Sequence, residues 1–389
     1  MKIAILIKFG KKYSGGRYHG WMIAESLSIK NKIDVFCDNK PIFLKDFDYH
    51  HKQDKINFYH LNSFKNSNAY DWIIVVPSVG SIPYYSEWIK KGEKDNSKIC
   101  FVNFETPNWY NSVFKYSKRN DDVISYLANH SDLCLSATKI GTKYAKEYFE
   151  KNRGLQYTNI YPSINSYIKK TNQIKKKSIV ILTRFGNDAF SKHKLSISLE
   201  EIFLDKFKGY DLNIIYGGEV DKKKYALLGK KFGINVILHQ NISDIEKFKI
   251  ISEAKFMIFL SQFEGYGYPI IESMSCDTPV FCNKLDVFLE IHSDKIFYIN
   301  KKIDEYDFFN HLKDYKSYKK YYDEEFSIDN YGKKLNFILE NFKLTTQYKK
   351  RSYYHYLTKF LLTANLKSKL LYLRSLLQKK QDELFHKKI

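Results

Sequence analysis

Apolar positions along the chain follow two alternating rhythms. Short runs rich in β-branched and aromatic residues, at 3–7, 33–37, 72–76, 99–103 and 133–136, read as buried strands, and longer amphipathic stretches between several of them read as helices. After the lysine-rich stretch 168–177 the rhythm restarts, with strands at 179–183, 212–216, 236–239, 256–260, 279–282 and 296–299. Such alternation predicts an α/β protein whose parallel sheets carry helices on both faces, because a parallel crossover needs a helix to return the chain. The pattern predicts two Rossmann-like halves joined near residues 165–177. The expected domains are 1–170, 171–345 with its last helices able to cross back to the first half, and a basic helical tail at 346–389. In open sheets of this kind ligands bind at the carboxyl ends of strands, so two halves facing each other are expected to enclose a cleft.

Composition narrows the picture only in part. The 389 residues carry 64 Lys or Arg against 43 Asp or Glu, a formal charge of +21 that favours phosphate-bearing partners: nucleotides, anionic lipid or nucleic acid. The five cysteines, Cys37, Cys100, Cys134, Cys276 and Cys282, show no CxxC or Cys/His ligand spacing, which reads as a reducing compartment without structural zinc. The apolar amino-terminal run is closed by Lys8 and is too short for a signal-peptide core. No run approaches the roughly 18 to 20 apolar residues of a membrane span, so the expected location is cytoplasmic, with any membrane contact peripheral.

Candidate chemistry gathers after the strand at 256–260, where the chain reads Ser261-Gln262-Phe263-Glu264-Gly265-Tyr266-Gly267-Tyr268-Pro269-Ile270-Ile271-Glu272-Ser273-Met274-Ser275-Cys276-Asp277-Thr278-Pro279-Val280. Gly265 and Gly267 permit close backbone approach to a ligand, and Pro269 suits the first turn of a helix. That helix would turn its free amides and positive dipole end toward the loop, a setting for a diphosphate or for sugar hydroxyls. Glu264 precedes the helix and Glu272 lies within it, so the two carboxylates are expected to meet different parts of one bound molecule.

This stretch closely resembles glycosyltransferase family 4 and its relatives, the retaining GT-B enzymes, which share a Glu-x7-Glu element in a pattern like E-G-[FY]-G-x-P-x-x-E-[AS]-M-[AS]-x-x-x-P-V. The resemblance implies a GT-B fold and transfer of a sugar from a nucleotide diphosphate-sugar to a hydroxyl with retention at the anomeric carbon. It places Glu264 at the donor sugar, Gly265, Tyr266, Gly267 and Tyr268 along the donor, and Glu272 at the ribose hydroxyls. Asp277 stands where the family usually has glycine. The family's Arg and Lys, which neutralise the departing diphosphate, find counterparts after the strand at 179–183 in Arg184 and Lys192, with Lys194 as the alternative lysine. Gly15 and Gly16, in Ser14-Gly15-Gly16-Arg17-Tyr18-His19-Gly20, match the glycine-rich first loop that faces the donor phosphates and the acceptor; His19 reads as a packing or helix-surface residue.

On the acceptor side, Glu105, Asn108 and Trp109 follow the strand at 99–103, where relatives often carry a histidine that this chain lacks. Glu105 and Asn108 are candidates for sugar hydroxyls and Trp109 for a sugar face, against the plain alternative of a turn with a packed tryptophan. The segment Tyr161-Pro162-Ser163-Ile164-Asn165 occupies the place of a family turn before the interdomain link and serves as a hinge landmark. Asp46-Phe47-Asp48 matches the DxD of metal-dependent transferases, but three-residue matches arise easily and it reads as a solvated loop. No metal and no cofactor beyond the donor substrate is expected.

From 346 to 389 there are eleven Lys or Arg and two Asp or Glu, and Leu366, Leu370, Leu373 and Leu377 recur at helical spacing. This tail reads either as a peripheral anchor to anionic lipid or as a helix packed on protein. The expected partners are a nucleotide-sugar donor and a glycan or lipid-linked acceptor, in bacterial surface polysaccharide synthesis, and no nucleic acid. Two rivals remain. One is a nucleic-acid-binding protein, suggested by charge and by interleaved Lys and Tyr at 315–322; the other is a GT-B-fold non-transferase such as an epimerase or sugar-binding subunit.

Overall fold

Seven strands build the first sheet: β1 (Lys2–Leu6), β2 (Lys32–Cys37), β3 (Ile56–His60), β4 (Trp72–Val75), β5 (Lys98–Asn103), β6 (Leu133–Ser136) and β7 (Gln156–Asn159). In the computed structural model they are all parallel, in the order β3-β2-β1-β4-β5-β6-β7. Six more, β8 (Ser178–Arg184), β9 (Asp211–Gly217), β10 (Asn235–Gln240), β11 (Phe256–Phe259), β12 (Val280–Asn283) and β13 (Phe297–Ile299), form a second parallel sheet ordered β10-β9-β8-β11-β12-β13. The structure describes residues 1–10, 14–41, 55–114, 122–149, 154–164, 174–186, 207–299, 307–344 and 353–385.

Every strand expected in the second half is present. The first half adds β3 and β7, which the apolar pattern missed. These are the two edge strands, and their polar content follows from that position: β7 (Gln-Tyr-Thr-Asn) is half-buried throughout, and β3 (Ile-Asn-Phe-Tyr-His) buries only its first and last residues. An edge strand shares fewer buried neighbours, so it does not need the continuous apolar run that marks a central parallel strand.

The chain divides into two compact units, Met1–Ser163 with Ile328–Ile389, and Ile164–Ser327. In the first unit, helix Gly15–Leu27 covers one face of the sheet. It lies so close that a Cβ at Gly20 would stand 2.4 Å from Ile7 Cδ1, so glycine here is a packing requirement. Helix Ile328–Glu340 crosses it at Gly332, where a Cβ would meet the Ser26 carbonyl at 2.6 Å, and three hydrogen bonds fasten the pair to the unit: His19 Nε2 with Tyr331 Oη at 3.0 Å, Asn31 Nδ2 to Asn336 Oδ1 at 2.7 Å and Trp72 Nε1 to the Leu339 carbonyl at 3.3 Å. His19 is thus a buried packing residue, and burial lowers its pKa to about 3, keeping the imidazole neutral.

The opposite face of the first sheet supplies Leu6, Phe36, Val75 and Phe101 to a core that Trp88, on helix Tyr85–Lys94, and Tyr356, Phe360 and Tyr372 of the tail complete. The tail forms helices Tyr353–Thr363 and Leu366–Phe385. In the second unit, Ile179, Ile214, Phe256, Ile258, Phe281 and Phe308 form a separate core. Among the described residues no helix is long and apolar enough to cross a membrane.

Candidate active site

In each sheet the strand order reverses direction at one place, between β1 and β4 in the first and between β8 and β11 in the second. Loops leaving the carboxyl ends of two such strands diverge to opposite faces and open a crevice, the usual ligand position in doubly wound sheets. In the second unit β8 and β11 are direct parallel neighbours, with Ile179 opposite Phe256 and Ile181 opposite Ile258. Arg184, exposed at the last position of β8, and the loop 260–267 after β11 therefore leave the same edge of the sheet. Lys192 and Lys194, the candidate lysines after β8, lie outside the described residues, as do Asp46 and Asp48.

Local chemistry fixes the loop after β11. Ser261 Oγ donates to the Phe263 carbonyl at 2.9 Å, and Asn283 Nδ2 donates to the Ser261 carbonyl at 3.2 Å, tying the loop to the end of β12. Glu264, Gly265 and Tyr268 are half-buried, while Phe263, Tyr266 and Gly267 are buried. The rings of Tyr266 and Tyr268 meet edge to face at 5.0 Å. Gly267 caps helix Tyr268–Ser275 with φ of 92°, a left-handed conformation, and a Cβ on it would stand 2.7 Å from Phe288 Cε1. Both its conformation and its surroundings demand glycine. Pro269 lies in the first helical turn, as expected.

Glu272, on that helix, is buried at 2% exposure. Its Oε1 accepts from Lys247 Nζ at 2.8 Å, and Lys247 is held in turn by Asp244 Oδ1 at 2.9 Å. Burial pushes the Glu272 carboxyl above its ordinary pKa, and Lys247 pulls against that shift. Burial also works against the Lys247 ammonium, but Glu272 and Asp244 outweigh it and hold the lysine above its ordinary value. The sequence did not point to Lys247 or Asp244. The signal available was Ser243-Asp244-Ile245-Glu246-Lys247, a capped helix start in which the lysine falls four residues before the buried Ile251 and next to the buried Phe248.

Asp277 explains itself structurally. It adopts φ of 55°, the left-handed region that glycine enters most readily and Asp with the next least strain, and its Oδ1 accepts from Ser317 Oγ at 2.6 Å and Tyr315 Oη at 3.1 Å.

A further feature of this edge, Gly217-Gly218 at the end of β9, carried no weight in the sequence. Phe185 N donates to the Gly217 carbonyl at 2.8 Å, and Gly218 has φ of 92° with its absent Cβ only 1.9 Å from the Phe185 carbonyl oxygen. The loop after β9 is thus pressed against the residue following Arg184. Gly218→Ala combines a strained backbone with a backbone clash and is expected to destabilise the protein by about 2 kcal/mol or more. A thermal melt unchanged from the parent would show that this contact does not hold the loop.

In the first unit, Ser14 caps helix Gly15–Leu27, its Oγ accepting from Arg17 N at 3.3 Å. Gly15 is exposed at the helix start, and a Cβ on Gly16 would lie 3.1 Å from the Phe104 ring. Gly10, after β1, has φ of 62°; its N–H donates to the Asp38 carboxylate and its Cα faces the Arg17 guanidinium, 3.2 Å from where a Cβ would stand. Glu105 is half-buried. Asn108 gives its Nδ2 to the Tyr144 carbonyl at 3.0 Å. Of the two readings of Trp109, the geometry matches the packed tryptophan: it is buried, and its ring lies parallel on Tyr144 at 5.4 Å.

Comparison with known proteins agrees with this geometry. No curated protein matches the chain in sequence. Among solved structures, HepE from Anabaena in complex with UDP and glucose superposes with a TM-score of 0.62 at 14% identity, covering 88% of this chain and 100% of that one. Sucrose-phosphate synthase from Thermosynechococcus elongatus gives 0.61 at 13% identity over 87% and 98%. The lipopolysaccharide outer core galactosyltransferase WaaB in its apo form gives 0.51 at 15% identity over 86% and 98%. The chain therefore has the GT-B glycosyltransferase fold, and residues 175–320, which carry both Arg184 and the Glu264–Glu272 segment, match the family described as Glycosyl transferases group 1.

Proposed function

We propose that the protein transfers a sugar from a nucleotide diphosphate-sugar to a hydroxyl of a glycan or lipid-linked acceptor, with retention at the anomeric carbon and without a metal ion. The observation that supports this reading is that Arg184 and the glycine-bounded loop that ends in helix Tyr268–Ser275 leave the same edge of the second sheet, at its strand-order reversal. In the reaction the glycosidic oxygen of the donor leaves with the diphosphate, and negative charge develops there. Arg184 supplies a fixed cation for that charge, and the positive end of the dipole of helix Tyr268–Ser275 adds to it. Glu264 orients the sugar. Glu272, its charge held by Lys247, takes the ribose hydroxyls. Catalysis in this scheme is positioning and electrostatic stabilisation, and no covalent nucleophile is assigned.

HepE was solved with UDP and glucose, which makes a uridine nucleotide the first donor to test. A ligand binding only the native state at a hundredfold excess over its Kd adds about 2.7 kcal/mol, a rise of roughly 5–10 °C in Tm for a unit of this size. A screen of nucleoside diphosphates and their sugars should show such a rise for one base. A flat response to every nucleotide, with a salt-sensitive response to RNA, would sink the proposal in favour of nucleic-acid binding.

A further inference from the structure

Helix Leu366–Phe385 has two unlike faces. Tyr372, Ser375, Lys379 and Asp382 point into the first unit. Tyr372 is in its core, Lys379 Nζ donates to the Pro83 carbonyl at 3.0 Å and pairs with Glu87 at 2.5 Å, and Asp382 meets His60 Nε2 at 3.1 Å with both side chains about 95% buried. At 100° per residue these four fall within a sector of about 80°. Opposite them, Leu366, Leu370, Leu373, Leu377 and Leu384 fall within a sector of about 60°. All five are exposed, at 72%, 56%, 50%, 64% and 76%. Packing on its own unit therefore accounts for one face of this helix and leaves the leucine stripe uncovered.

Charge indicates what covers it. Lys369 and Lys380 border the stripe on one side and Lys367 and Arg374 on the other, while the helix's acidic residues lie away from it, Asp382 inward and Glu383 near the inner edge. A second copy of this chain fits poorly. The stripe follows a heptad seam in which Lys380 would occupy a core position and Lys367, Lys369 and Arg374 the flanks, so pairing two copies sets like charges together. We infer that helix Leu366–Phe385 docks on an anionic lipid bilayer, its leucines entering the headgroup boundary and its two rows of cations meeting the lipid phosphates. The helix is clamped on the segment Val79–Tyr84 that follows β4, with Ser375 Oγ 3.2 Å from where a Cβ of Gly80 would stand. Docking thus brings the carboxyl edge of the first sheet to the lipid surface, where a lipid-linked acceptor resides; that last consequence rests on the proposed transfer reaction, whereas the docking does not.

The test is co-sedimentation of the full chain with vesicles of phosphatidylcholine alone or mixed with phosphatidylglycerol, at low and high salt. The parent is expected to partition onto the anionic vesicles and to be released by salt. Leu370→Gln with Leu377→Gln should lower that partition at least about tenfold, from the apolar area no longer buried. Replacing Lys367, Lys369, Arg374 and Lys380 together by Gln should do the same. Both variants change only outward residues, so their thermal melts should match the parent. Equal partition of parent and variants, or no preference for anionic vesicles, would overturn the inference. So would sedimentation velocity showing a dimer that the leucine changes dissociate, which would assign the stripe to a second copy. Vesicle partition does not depend on turnover, so a failed nucleotide screen leaves this result readable.

Discussion

Lys247→Met is expected to cost about 3–5 kcal/mol, the loss seen when one member of a buried ion pair is removed and the other charge is stranded. Glu272, at 2% exposure, would keep its carboxylate in an apolar setting with no counter-ion. The double variant Lys247→Met, Glu272→Met should recover most of the loss, because it removes both buried charges. The pH dependence gives an independent check. In the single variant burial acts on Glu272 unopposed, so its folded pKa lies above the unfolded one. A carboxyl of that kind contributes stability that is present below the unfolded pKa and is lost as pH rises through the folded pKa. The single variant should therefore gain on the parent as the pH falls toward 4.5, the ordinary value of the carboxyl. Urea unfolding of parent, single and double variants across that range measures it. A single variant as stable as the parent at neutral pH would mean that the pair is not the anchor of helix Tyr268–Ser275.

Glu264→Gln is expected to lower kcat by about 10²–10³, the scale of losing one preorganised electrostatic contact in a reaction centre. Gln keeps the shape of the side chain, and Glu264 is half-buried at the loop's surface, so the melt should not move. Binding of the nucleoside diphosphate should survive, since the contact assigned to Glu264 is with the sugar. Arg184→Ala should differ, weakening diphosphate binding and turnover together, because its cation is assigned to the leaving group. Turnover within about tenfold of the parent, less than about 1.4 kcal/mol of lost transition-state stabilisation, would refute either assignment.

Much of the second unit was legible in the sequence because its signals are local. Central parallel strands are apolar along their whole length, and the loop after β11 needs a left-handed glycine at Gly267 and a helix start at Pro269, both fixed by neighbours in the chain. The ion pair of Lys247 with Glu272 was not legible, since it joins residues 25 apart and a lysine on a helix ordinarily reads as solvated. Trp109 stayed open between two readings for the complementary reason. An aromatic after a strand looks the same in sequence whether a sugar or Tyr144 covers its face. The edge strands β3 and β7 were hidden by their polar residues, and the leucine seam of the tail showed its period but not which side of the helix the protein would take.

The division of the chain also has a consequence for the order of its synthesis. The second unit, Ile164–Ser327, is one uninterrupted segment. The first is not: one face of its sheet is closed by helix Ile328–Glu340, and the core on the other face includes Tyr356, Phe360 and Tyr372. During translation the strands of that sheet emerge well before residues 328–372, so both faces stay incompletely covered until those later residues have left the ribosome. The second unit, by contrast, has all of its strands and core within one segment and can close before the first does.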